Sequence, residues 1–291
     1  MLMMFALRRL LGVAALIATV FHSSLAASDP KAGKLLAEGR VDEAIVLLQC
    51  RINRAPLDAE SYTLLCRAYF MLDEWDPSIA ACEKAVSLSP DNGEYHSWLG
   101  RSYGEKAAHS IFITAARLAG KVRKEFETAV RLNPDNVDAH ADLADFYLEA
   151  PRLVGGGRDR AEAQAQEIAR IDLAQAHRLE ARIAEEKKEY VTAEKEYRIA
   201  IQLSGGKAGA WFNLAGFYRH AGRYDEMEDA MRHATAPKMD RPDLLMSAAE
   251  MLINTGRDLP EAAELLRRYV SSSGTVEDAP FSKLITCWVQ F

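Results

Sequence analysis

One stretch of this chain is written twice. Leu88-Ser89-Pro90-Asp91-Asn92 and Leu132-Asn133-Pro134-Asp135-Asn136 keep leucine, proline, aspartate and asparagine at the same places. Each stretch closes one apolar helical run and is followed by another. Proline lacks the N–H that would continue a helix and its ring clashes with the preceding turn, so the chain must break there. A second set of residues recurs upstream of these breaks. Tyr62, Leu65, Cys66 and Tyr69 share one spacing, and Leu99, Gly100 and Tyr103 repeat part of it. So do Leu143, Ala144 and Tyr147, and the fullest version is Trp211, Leu214, Ala215, Tyr218, Gly222 and Tyr224. Short helical units of this kind cannot bury their apolar faces alone, so neighbours must stack.

These residues resemble the tetratricopeptide repeat, a unit of about 34 residues made of two antiparallel helices. In that family a bulky residue stands at position 4, leucine at 7, a small residue at 8 and an aromatic at 11. A glycine stands near 15, small and bulky residues at 20 and 24, and proline at 32. The resemblance implies an all-α fold, a right-handed superhelical α-solenoid of about seven hairpins with a C-terminal capping helix. The frame gives units at 25–58, 59–92, 93–136, 137–173, 174–207, 208–241 and 242–275. Residues 276–291 form a capping segment, since an array's open end needs a cover. The third unit is too long, with its surplus between the two helices around Glu105 to Ala116. The fourth carries Glu149-Ala150-Pro151 to Gly155-Gly156-Gly157 between its helices, and the seventh needs one extra residue in its turn.

The first residues read as a targeting segment. Arg8 and Arg9 precede the uncharged apolar run Leu10 to Phe21, and Ser24-Leu25-Ala26 is a small-x-small cleavage site. That pattern is a secretory signal peptide, and the run is well short of the ~20 residues that span a bilayer. The expectation is a periplasmic or secreted chain starting near Ala27, with no integral membrane span after cleavage. A formal net charge of −6 disfavours nucleic acid as a partner, because phosphate binding calls for a concentrated basic face.

Candidate chemistry yields to packing at each point. His96, His140 and His177 fall at position 4 of successive units. Stacked helices lie about 8–10 Å apart, whereas zinc ligands gather within about 2 Å of one ion, so packing is the reading and no metal is expected. Gly155-Gly156-Gly157 followed by Arg158-Asp159-Arg160 lacks the lysine and hydroxyl ending of a nucleotide loop. It reads as a loop with unusual backbone angles, capped by Asp159. Cys66 and Cys82 occupy positions 8 and 24 of the second unit and read as small buried hydrophobes. The bridge that stacking suggests is Cys50 to Cys66. No catalytic motif or cofactor fingerprint is present, so neither an enzyme nor a cofactor is expected.

The resemblance places function on the inner face, lined by the first helix of each unit. Arg67, Phe70, Met71, Arg101, Asp145, Arg178, Arg182, Phe212 and Arg219 fall there. Arginine and aromatics are enriched at binding hot spots, and the arginines suit carboxylates of a partner. The expected function is an exported scaffold binding a protein or peptide of the cell envelope. Two alternatives stay open. One is an enzyme or small-molecule binder with a pocket where Glu105, His109, Arg152 and Arg158 meet. The other is a self-associating structural protein, a homo-oligomer.

Overall fold

The computed structural model describes residues 30–236 and 238–272. The proposed signal segment, the capping segment and Cys287 lie outside them. Among the described residues the chain is all-helical. Its helices are α1 (Pro30–Ala37), α2 (Val41–Arg54), α3 (Ala59–Phe70), α4 (Trp75–Leu88), α5 (Gly93–Ala108), α6 (Phe112–Leu132) and α7 (Val137–Glu149). After a 3-10 turn at Arg152–Val154 come α8 (Arg158–Ile168), α9 (Leu173–Glu186), α10 (Tyr190–Leu203), α11 (Ala208–His220), α12 (Tyr224–Ala234), α13 (Leu244–Thr255) and α14 (Leu259–Ser271). Odd and even helices pack as hairpins, and the odd helices also touch one another in sequence from α1 to α13. That is the stacking a solenoid requires.

The repeated sequence acts through its turns. Ala55, Ser89 and Asn133 each precede a proline, and they share one extended backbone, with ψ of 77, 75 and 81°. Proline excludes the helical region for the residue before it, so α2, α4 and α6 end alike. Two residues past each proline, Asp58, Asn92 and Asn136 accept the first free N–H groups of α3, α5 and α7. The turn inside the hairpins is equally uniform. Gly39, Asp73, Lys188, Gly222 and Gly256, all at position 15, adopt φ between 58 and 71°. The next residue then donates back to the carbonyl five residues earlier, as Arg223 does to Tyr218 at 2.8 Å, closing the last helical turn.

Small residues let the hairpins close. Ala32, Cys66, Ala144, Ala181, Ala215 and Ala249, all at position 8, are fully buried. At Gly100 a Cβ would lie 2.5 Å from the Phe126 ring, so glycine makes room for that phenylalanine. The core does not run unbroken. One apolar cluster reaches from Ala32 to Ile183 and a second from Ala181 to Leu266, meeting on α9. There Glu180 stands where other units have Leu65, Leu99, Leu143 or Leu214, and Ala184 where they have tyrosine, so the seam loses two large side chains.

The cysteine reading needs correction. Cys66 and Cys82 are bonded to each other, with Cα atoms 5.2 Å apart, and Cys50 is free and exposed. Positions 8 and 24 face each other across a hairpin, as Gly100 and Phe126 do in the next unit. Two cysteines there are within bridging distance.

Candidate functional site

The contact between successive hairpins carries a repeated tie. Tyr69, Tyr103, Tyr147 and Tyr218, at position 11, each reach back to the second helix of an earlier hairpin. Their hydroxyls meet Gln49 at 3.2 Å, Glu83, Glu127 at 3.1 Å and Glu194 at 2.8 Å. A cation from the tyrosine's own hairpin lies on three of these rings: Lys121 over Tyr103, Arg160 over Tyr147 and Arg223 over Tyr218. Burial pushes the Glu194 carboxyl up, but hydrogen bonds from Arg223, Tyr218 and Arg198 outweigh it and hold the group down at about 2. These contacts join neighbouring units and are structural.

The inner face behaves differently from its sequence. Arg67 is buried with its guanidinium 5.0 Å from the Trp98 ring centre. Arg101 covers the same ring at 4.9 Å and donates from Nε to Asp142 at 2.9 Å. Phe70 packs edge-on against Trp75 and Trp98, and Met71 packs on the core. Arg182 bridges to Asp145 at 2.6 Å and Glu149 at 3.3 Å. Arg219 donates to His220 Nε2, whose Nδ1 meets Glu185 at 2.7 Å. Arg101 and Arg182 therefore tie first helices to each other across 41 and 37 residues of sequence.

Two of the inner-face residues lie together in a hollow. About 510 Å³ opens between α9, α10, α11 and the start of α13, lined by Arg178, Phe212, Lys207 and Asn213 among others. Among the described residues Arg178 donates only to Gln175, at 2.8 Å, and neither it nor Lys207 has a carboxylate within ion-pair distance. Across the hollow, Arg241 is bonded to Asp243 and Asp240 accepts from the Ala208 N–H. Asp138 lines this hollow and also a larger one of about 840 Å³, walled by turn residues Ser89 to Glu94 with Trp98 and Arg101.

A tetratricopeptide-repeat family model matches residues 208–236, the α11/α12 hairpin that carries the fullest set of signature residues. A thermophilic TPR protein of Thermus thermophilus superimposes with a TM-score of 0.50 at 22% identity, over 77% of this chain and 96% of that one. A tetratricopeptide repeat protein of Parabacteroides merdae does so with 0.50 at 14% identity, over 89% and 95%. Residues 208–236 are a tetratricopeptide repeat, and the array has the tetratricopeptide-repeat fold. No curated protein matches its sequence. The TPR fold is one of interaction scaffolds.

Within the TPR hairpins the position 4 histidines act as ties. His96 meets the Pro90 carbonyl at 2.9 Å and Glu125 at 2.6 Å, two acceptors that call for protons on both ring nitrogens. The Glu125 bond accordingly raises its pKa. His140 repeats the arrangement with Pro134 and Gln164. His177 meets Glu196 at 2.7 Å and Glu180 at 3.2 Å. These three ligand atoms lie within 4.8 Å of one another, a spacing that suits a metal ion. The recurrence of the bond in the two preceding hairpins identifies the His177 to Glu196 contact as the same tie. Of the insertion residues, His109 stacks on Trp75 and bonds the Glu105 carbonyl, whereas Arg152 pairs with Asp159 and Arg158 is exposed. Asp159 is not a cap, because Gly157 precedes α8 and Asp159 lies in its first turn.

The Asp142 carboxyl is pushed up to about 6, because burial outweighs the neighbouring Arg101. A folded pKa above the unfolded one means the carboxyl stabilises the fold below about pH 4, and this contribution is lost as pH rises through 6. Arg101→Met removes the opposing cation, and the Asp142 midpoint then moves above 6. Carboxyl-carbon NMR titration reads it; an unmoved midpoint would show that the pair is not coupled.

Proposed function

We propose that this TPR array is an exported scaffold that holds a carboxylate-bearing segment of a protein partner in the hollow of α9, α11 and α13. The observation that carries the reading is Arg178 and Lys207, two cations that make no ion pair among the described residues, beside Phe212. Arg101 and Arg182, in contrast, are engaged by the array's own acids. Guanidinium groups bind carboxylates in fixed geometry, and a half-buried aromatic beside them supplies the apolar contact that hot spots share. Export is supported by the Arg8 to Ala26 pattern and by a buried disulfide, a bond kept in oxidising compartments.

A photo-crosslinking residue placed at Phe212 in the native host tests the site. Adducts form with a partner, and Arg178→Glu with Lys207→Glu reduces them about tenfold or more, as charge reversal at a buried contact does. Equal adduct yields from both chains would refute the assignment. Export is read separately: protein recovered from the envelope begins near Ala27, and an intact chain in the cytosol would refute that part alone.

A further inference from the structure

The α5/α6 hairpin projects beyond its neighbours. α6 has 21 residues where α2, α4 and α10 have 14. Its C-terminal end is in register, since Asn133 repeats the backbone of Ser89 and Ala55. The extra seven residues therefore extend its start outward by about 10 Å at 1.5 Å per residue. At that start stand three consecutive bulky apolar side chains, Ile111, Phe112 and Ile113, which are 75, 76 and 78% exposed. Neighbouring positions on a helical turn point in different directions, so the three surround a convex tip and do not line a groove.

Below the tip the exposed stripe of α6 is basic. Ile113, Arg117, Lys121 and Lys124 follow at helical spacing and all are exposed. From Lys106 to Lys124 the chain has five cations and no carboxylate, within a protein of net charge −6. Arg117 has no ion-pair partner among the described residues. Lys121 donates to the Tyr103 hydroxyl at 3.1 Å and approaches Glu83 only at 3.7 Å, while Lys124 approaches Glu125 only at 4.0 Å, and their side chains are 52 and 79% exposed.

We propose that this tip docks on an anionic lipid surface, with Ile111, Phe112 and Ile113 entering the interface and Arg117 and Lys124 facing the headgroups. The dimensions agree. Interfacial helices bury their apolar side about 5–10 Å deep, and Arg117 lies about 7 Å along the helix from Phe112. Basic residues near such a surface add attraction. A convex apolar wedge above a stripe of cations fits a deformable bilayer, where a protein partner would have to supply a matching cavity. The tip is separate from the α9/α11/α13 hollow, so the proposal stands or falls independently of the partner reading.

The test is flotation of the full chain with vesicles of equal parts phosphatidylglycerol and phosphatidylcholine, beside vesicles of phosphatidylcholine alone. Wild type partitions onto the anionic vesicles, and less so at high salt. Ile111→Ser, Phe112→Ser and Ile113→Ser together reduce that fraction about tenfold or more, and Arg117→Glu with Lys124→Glu by about tenfold. All chains carry the same residues 1–29, so the differences read the tip alone. Equal flotation of wild type and variants overturns the proposal, as does equal flotation on neutral vesicles. A wild type that self-associates in sedimentation without binding vesicles, alongside a monomeric serine variant, overturns it in favour of a second copy. Far-UV circular dichroism checks folding, and if the serine variant loses helicity the charge variant decides.

Discussion

Chains with Cys66→Ala and Cys82→Ala unfold in urea with about 3 kcal/mol less stability than the oxidised wild type. The bond closes a loop of 16 residues, and restricting the unfolded chain over such a loop is worth about 3 kcal/mol. Both sulfurs are fully buried. Ser78 and Ser102 hydroxyls surround Cys66, each 3.5 Å from Sγ, and bond one another at 2.9 Å. The bridge is therefore shielded, and reductant acts on it only when the α3/α4 hairpin opens. Because array stability is roughly a sum over units and nearest-neighbour contacts, the loss concentrates in α1 to α6 and leaves α11 to α14 little changed. Hydrogen exchange resolved by segment shows this. A loss below about 1 kcal/mol, or one spread evenly along the chain, would mean that the bridge does not limit opening of this region.

The bridge also marks what the sequence could tell. Helix ends were legible because their causes are local: proline forbids the residue before it a helical backbone, and an Asn or Asp two places later caps the next helix. Close packing at position 8 was legible because only small residues recur there. The Cys66 to Cys82 bond was within reach of the same frame, which sets positions 8 and 24 opposite each other within one hairpin, whereas stacking between hairpins points to Cys50 and Cys66. The inner face was less legible for a physical reason. Whether an arginine is free depends on acids in the next hairpin, and Asp142 and Asp145 lie 41 and 37 residues from Arg101 and Arg182. No local pattern links them. Phe212 and Arg178 were placed on this face by their register, whereas Lys207, in the turn before α11, falls outside the inward positions of the repeat and was missed. Side-chain exposure at Ile111 to Ile113 was equally out of reach, since an apolar triplet in an insertion reads the same whether buried or bare.

Gly156→Ala destabilises the fourth hairpin by about 3 kcal/mol or more, a backbone overlap being harder to relieve than ordinary overpacking. A Cβ at Gly156 would lie 1.7 Å from the Ala150 carbonyl oxygen and 2.6 Å from its carbon. Those are main-chain atoms at the end of α7, so no side-chain rotation relieves the overlap. The loop is held tightly there because it satisfies that helix end. Gly157 donates its N–H to the Tyr147 carbonyl at 2.8 Å, a group that a helix terminus otherwise leaves unpaired, and Gly156 donates to the Pro151 carbonyl at 3.2 Å. Relief requires the loop to lift, which breaks both bonds and frees the start of α8. Gly120→Ala is the control. It lies within α6 with nothing within 4 Å of the added carbon, and alanine there stabilises by about 0.5–1 kcal/mol. Opposite signs for the two substitutions, read from urea midpoints with unchanged slopes, identify the triplet as a packed helix terminus. Equal, small effects would mean that the loop yields freely, and its glycines would then need another explanation.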